Sequence, residues 1–153
     1  MSTDYIRYRI LLVDDEINNR RLIVRLLRGL DYDLQDVSNG KEAIQAWKDW
    51  QPHLILMDMR MPVMNGYVAT QQIRNLEQEQ HDNHVSTAKT TNYPPHRTKI
   101  IATTANAFEE EQSRIIEAGC DDIIHKPFRV EQLRRSIEHH LQYFNTPENQ
   151  IMS

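Results

Sequence analysis

Residues 54–66 read LILMDMRMPVMNG. Four apolar residues, Leu54 to Met57, run straight into the carboxylate of Asp58, and the chain then meets Pro62 and Gly66. A short unbroken apolar run bounded by turn residues reads as a strand buried on both faces, as parallel sheets require. Asp58 then stands where that strand ends. An acid at such a place is either ordinary turn chemistry or a reactive group delivered to a site by the strand before it.

The same pattern recurs along the chain. Ile10 to Val13 and Ile100 to Ala102 read as further buried strands, Leu34 with Val37 as a weaker one, and Ile123-Ile124 as a short one. Between them lie helical periodicities. Ile23, Leu26, Leu27 and Leu30 share a face, as do Ala43, Trp47 and Trp50, and Ala69, Ile73 and Leu76. Phe108, Ile115 and Ile116 support a fourth helix, with Glu109, Glu110 and Glu111 in its first turn, where the helix dipole favours acids. Val130, Leu133, Ile137, Leu141 and Phe144 mark the last. Strand and helix thus alternate five times, (βα)5. This is an α/β pattern: a doubly wound, flavodoxin-like, five-stranded parallel sheet of order 2-1-3-4-5, with right-handed crossovers.

Length and composition agree with one domain. The chain has 153 residues, 39% hydrophobic and 26% charged, enough for a single core in a soluble protein. A net charge of −4 argues against direct binding to nucleic acid, which selects basic surfaces. No apolar run approaches a membrane span, and no secretory signal opens the chain, so direct membrane contact is not expected. The one cysteine, Cys120, suits a reducing cytoplasm. The expected layout is a single domain over 1–153, with a core over about 9–144, a polar insert over about 77–98 and a tail over about 145–153. The insert ends in Pro94-Pro95 and is long for an αβ connection, so it is expected to be a mobile surface loop on the rim away from the ligand side. Its histidines, His81, His84 and His96, lack a completing set of acids or cysteines and read as solvated.

Ligands of such sheets bind outside the carboxyl ends of the strands. The residues there are chemically pointed. The first strand is followed by Asp14-Asp15-Glu16, the third by Asp58, the fourth by Thr103-Thr104-Ala105 and the fifth by His125-Lys126-Pro127. Each is common alone: an acid pair is usually a helix cap, and a Lys-Pro usually a loop. Together they bring three carboxylates, a hydroxyl and an ammonium to one cleft. Crowded carboxylates call for a cation, and Mg²⁺ suits a small acidic set that leaves room for phosphate oxygens. Such a set can position and neutralise a transferring phosphoryl group, and a carboxylate can itself be the nucleophile.

The stretches VDDEINNR (13–20), NGKEAI (39–44), LMDMRMPVMNG (56–66), TTANAF (103–108) and GCDDIIHKPF (119–128) closely resemble bacterial response-regulator receiver domains, with wording like those of hybrid sensor histidine kinases. The resemblance runs from about Arg9 to Phe144. It implies that Asp58 accepts a phosphoryl group from a phosphohistidine of a histidine kinase or histidine phosphotransfer protein. It implies Mg²⁺ held by Asp15 directly, by Asp14 through water, by Asp58 and by the carbonyl of Arg60. It implies that Thr104, rather than Thr103, and Lys126 engage the phosphoryl oxygens, and that the Lys126-Pro127 bond is cis. It further implies a phosphorylation-sensitive surface of the fourth helix, fifth strand and fifth helix, on a monomer or a weak, phosphorylation-dependent dimer. One departure stands out: Ile123 replaces the aromatic residue usual three positions before the lysine. Arg60 and Asn106 occupy places that tune the lifetime of the phosphorylated state. Two other readings compete. A Mg²⁺-dependent aspartyl phosphohydrolase would have a second acid two residues after its nucleophile, where Arg60 stands. A domain that has lost phosphorylation would not be expected to keep Asp14, Asp15, Asp58, Thr104 and Lys126.

Overall fold

The apolar runs are strands because every residue in them finds cover on one side of the sheet or the other. The computed structural model describes residues 7–86, 97–106 and 108–145. In chain order these hold β1 (Tyr8–Val13), α1 (Ile17–Leu27), β2 (Tyr32–Val37), α2 (Gly40–Trp50), β3 (Leu54–Asp58), α3 (Gly66–Ser86), β4 (Lys99–Thr104), α4 (Glu109–Ala118), β5 (Asp122–His125) and α5 (Val130–Leu141), followed by a 3₁₀ turn, Gln142–Asn145. The five strands form one sheet of order β2-β1-β3-β4-β5, and all pairs are parallel. That is the expected architecture.

Strand alternation sorts the core into two halves. Leu11, Val13, Ile55, Met57, Ile100 and Ala102 face α2, α3 and α4, meeting Trp47, Ile73 and Ile115. Ile10, Leu12, Leu54, Leu56 and Ile101 face α1 and α5, meeting Ile23, Leu27, Leu133, Ile137 and Phe144. Each Val, Leu, Ile, Met or Phe side chain among them stabilises the fold by about 1.5–3 kcal/mol on burial. β2 is an edge strand with alternating, partial burial, which is why its sequence signal is weak.

Several helical readings need correction. α1 stops at Leu27: Arg28 is already extended, with ψ 135°, and Leu30 lies beyond it and beyond Gly29, whose φ is 90°. Phe108 is 76% and Ile116 52% exposed, so of that set only Ile115 is core. Val130 is also exposed, and Phe144 belongs to the 3₁₀ turn rather than α5. The insert differs most. Residues expected to be a loop from 77 onward continue α3 as far as Ser86. Glu77 is held at both carboxylate oxygens, by the Arg74 guanidinium at 2.7 Å and the Thr98 N–H at 2.7 Å. Arg74 also donates to the carbonyls of Gly119 and Thr98 and pairs with Asp121, which Arg97 reaches as well. The base of the insert is thus fastened to the start of β4. His81 is exposed on α3, whereas 87–96, with His96, and the side chain of His84 lie outside the described residues.

The turn after Asp58 is tightly fitted. Gly66 donates its N–H to the Met59 carbonyl at 3.2 Å. A Cβ there would stand 2.3 Å from the Asp58 carbonyl oxygen. The Met64 carbonyl accepts the Gly40 N–H at 2.9 Å, docking the turn on the start of α2. Val63, 79% exposed, has a φ of 68°, left-handed backbone that is costly for a β-branched residue. Two substitutions three positions apart should therefore act in opposite directions. Val63→Gly relieves a strain of about 1–2 kcal/mol, partly offset by backbone entropy, and should stabilise the chain by about 1 kcal/mol. Gly66→Ala forces backbone apart and should destabilise it by about 2–3 kcal/mol. Urea unfolding measures both.

Candidate functional site

β1, β3, β4 and β5 all end on the same rim, and the residues at or just after those ends meet there. A cleft of about 190 Å³ is lined by Asp14, Asp15, Asp58, Arg60, Thr104 and Lys126, together with Glu16, Asn19 and Ala105. All six residues read from the sequence as metal ligands or phosphoryl contacts are in that lining; Thr104 is there, whereas Thr103 and Asn106 are not. A larger depression, about 750 Å³, lies against β5 and α5, but none of the three clustered acids lines it.

Asp58, the last residue of β3, is 5% exposed. The Arg60 N–H donates to its Oδ1 at 3.3 Å, and the Lys126 ammonium stands 3.5 Å from the same oxygen. Burial pushes the Asp58 carboxyl up to about 6; the Lys126 charge opposes this, and the Asp14 and Asp15 charges add to it. Burial works against the Lys126 ammonium, but its hydrogen bond to Asp14 and the charge of Asp58 outweigh that and raise its pKa. The Lys126-Pro127 peptide is cis, as expected. Thr104 is 3% exposed, and its hydroxyl oxygen accepts the Asn106 N–H at 3.1 Å.

The acid pair is asymmetric. Asp14 is 2% exposed and heavily engaged. Its Oδ1 accepts the Glu16 N–H at 2.9 Å, and its Oδ2 accepts the Lys126 ammonium at 3.0 Å. The Asn19 amide reaches both oxygens, at 3.4 and 3.2 Å. Asp15 is exposed and makes no hydrogen bond or ion pair among the described residues. The carboxylate oxygens of Asp14, Asp15 and Asp58 can all lie within 4.8 Å of one another. Three hard oxygen donors this close, one of them free of protein partners, fit a small divalent cation such as Mg²⁺.

A second cluster flanks the cleft, and the sequence did not show it. The Tyr67 hydroxyl on α3 donates to Glu111 on α4, and the Arg114 guanidinium lies 4.8 Å over the Tyr67 ring. Burial, then the Glu111 contact, pushes the Tyr67 phenol up to about 12. Glu111 is 6% exposed, so it is not the solvated dipole acid its neighbours Glu109 and Glu110 are. Tyr67 and Glu111 are 44 positions apart, and no local pattern links them.

The sequence model of one family, the response regulator receiver domain, matches residues 10–138. A hybrid signal transduction histidine kinase of Dictyostelium discoideum is 35% identical over 82% of this chain and 3% of its own length. The chain spans between 3% and 26% of the length of eight curated relatives that it matches, among them this one. Among solved structures, the receiver domain of the Saccharomyces cerevisiae response regulator Ssk1, crystallised with the histidine phosphotransfer protein Ypd1, superposes with a TM-score of 0.77 at 28% identity, covering 89% of this chain and 91% of that one. The receiver domain of a Pseudomonas aeruginosa sensor histidine kinase, solved with a magnesium ion in its active-site cleft, gives 0.68 at 30% identity, covering 92% and 100%.

The burial of Asp58 has a measurable consequence. Between the ordinary carboxylate value of 3.8 and about 6, the folded chain holds a proton that the unfolded chain has released. Stability therefore falls as pH rises through that window. Without divalent ions at pH 8, Asp58→Asn should be more stable than the parent, by something on the order of 1–3 kcal/mol. The difference should close near pH 4, where Asp58 is neutral, and narrow when Mg²⁺ stabilises the parent. Thermal unfolding in chelator and in Mg²⁺ reads all three.

Proposed function

The chain belongs to the response regulator receiver domain family, and on that premise we propose that Asp58 is its phosphoacceptor in a Mg²⁺-dependent phosphorelay. The observation that carries this is the convergence of Asp14, Asp15 and Asp58 with Lys126 and Thr104 on one small cleft. Asp15, Asp14, Asp58 and the Arg60 carbonyl would hold the cation, which when bound draws negative charge off the phosphoryl oxygens.

The remaining steps belong to the chain. A carboxylate oxygen of Asp58 forms a bond to phosphorus as the phosphorus–nitrogen bond of a phosphohistidine breaks, and the electron pair leaves with the imidazole, which takes up a proton. The product is an acyl phosphate. Lys126, already beside Asp58, pairs with a phosphoryl oxygen. Thr104 donates its hydroxyl to another, which draws the β4–α4 connection toward the site. The added charge shifts a balance between two arrangements of the α4-β5-α5 surface. The Arg60 side chain, exposed at the mouth, hinders the water that would hydrolyse the acyl phosphate.

The donor is a histidine kinase or a histidine phosphotransfer protein, and the Ssk1–Ypd1 complex supports the second kind. The domain acts in the cytoplasm, as a monomer or a weak dimer formed on phosphorylation, and catalyses only its own phosphorylation and dephosphorylation. It belongs either to a stand-alone regulator or to a larger protein such as a hybrid kinase, as the length of the relatives suggests.

Acetyl phosphate with Mg²⁺ should add one phosphoryl group per chain, seen by intact mass, and Asp58→Asn should add none. Phosphotransfer profiling against histidine kinases and phosphotransfer proteins identifies the donor. Continuous turnover of a generic phosphate ester would instead favour a phosphohydrolase. Arg60→Ala should shorten the phosphorylated state several-fold, followed by loss of label after donor removal; an unchanged lifetime would remove Arg60 from the account.

A further inference from the structure

We infer that Asn19 and Arg20 are positioning residues that lock Asp14 in place and so leave Asp15 free to take the cation; this rests on the cation site proposed above. Both sit in the first turns of α1, where their N–H groups donate to the Glu16 carbonyl at 3.1 and 3.2 Å. From there their side chains turn back under the end of β1. Asn19 spans the two oxygens of the Asp14 carboxylate. Arg20 grips the main chain instead: its Nη1 donates to the Asp14 carbonyl at 2.7 Å, and its Nε to Asp36 of β2 at 2.8 Å. The Arg20 side chain is only 14% exposed. A guanidinium can reach two acceptors in fixed directions at once, which an ammonium cannot. Asp14 also donates its own N–H to Val37 at 3.2 Å. Its carboxylate, carbonyl and amide are thus all held, two of the three tied to β2.

Asp15 is the complement of this arrangement. It is exposed and free of protein partners among the described residues. Fixing the neighbouring residue at its main chain fixes where the Asp15 backbone points. Without the brace, the acidic loop can relax its mutual repulsion by splaying apart, and the cation must regather it.

Charge alone predicts the opposite sign. Arg20 is a cation beside a cation site, so removing it should tighten Mg²⁺ binding if electrostatics dominates. Partners that orient metal ligands typically cost about 10–100-fold in metal affinity when lost. Mg²⁺ titration by calorimetry on the full chain separates the cases. Asn19→Ala and Arg20→Gln should each bind Mg²⁺ roughly tenfold more weakly. Arg20→Lys, which keeps the charge, should also be weakened, by less. Unfolding in chelator confirms that each variant is folded, and the Mg²⁺-induced rise in Tm gives a second readout. Asp15→Asn, which removes a proposed ligand, should lose most binding. Unchanged or tighter binding in Asn19→Ala and Arg20→Gln, with Asp15→Asn still impaired, overturns the positioning role and leaves the cation site standing. A parent chain that binds no Mg²⁺ overturns both.

Discussion

Asp14, Asp15 and Asp58 can bring oxygens within 4.8 Å of one another, and that crowding of like charge is what the rest of the structure has to hold. It follows from topology. Strand order puts β1 beside β3 and β3 beside β4, so the residues at or just after the ends of these strands meet. β5 closes the set by carrying Lys126 to within 3.0 Å of Asp14 and 3.5 Å of Asp58. The lysine offsets the repulsion in part, and it is burial, more than the neighbouring acids, that keeps the Asp58 carboxyl raised. The two apolar clusters on either face of the sheet supply the stability against which this strain is held.

That same topology made the site legible. β1, β3 and β4 are covered on both faces, so their sequences are continuous apolar runs, and the residues at their ends stand out against them. Edge position blurred β2 for the opposite reason. The continuation of α3 was hidden because residues 77–86 carry almost no apolar stripe, and polarity read as loop. Glutamate and glutamine are good helix formers, and Gln78 bonds Asp82 one turn on at 3.0 Å, so beyond the Glu77 anchor the segment has local support for a helix that needs no apolar stripe. Leu30 kept the period of α1, yet Gly29 had already left the helix. Periodicity reports which side chains could share a face; it does not report where the backbone stops.

Glu111 shows the deeper limit. Beside Glu109 and Glu110 it looks like a third acid drawn to a helix N-terminus, and position in sequence gives no reason to separate it. What separates it is Tyr67, which reaches it from another helix. That contact bears on how a charge at Asp58 could be felt at α4. Ile123 pairs with Ala102 in the sheet and has no polar atom on its side chain, so moving it costs only packing. Glu111 is different. It is 6% exposed, with its carboxylate taken up by the Tyr67 hydroxyl and by Arg114 at 3.6 Å. A displacement of α4 away from α3 would leave a buried carboxylate short of its donor, a loss that costs far more than a shifted aliphatic chain. In this chain, then, a polar contact at the first turn of α4, next to the loop that Thr104 begins, joins the packing of Ile115 and Ala118 in holding α4 in place.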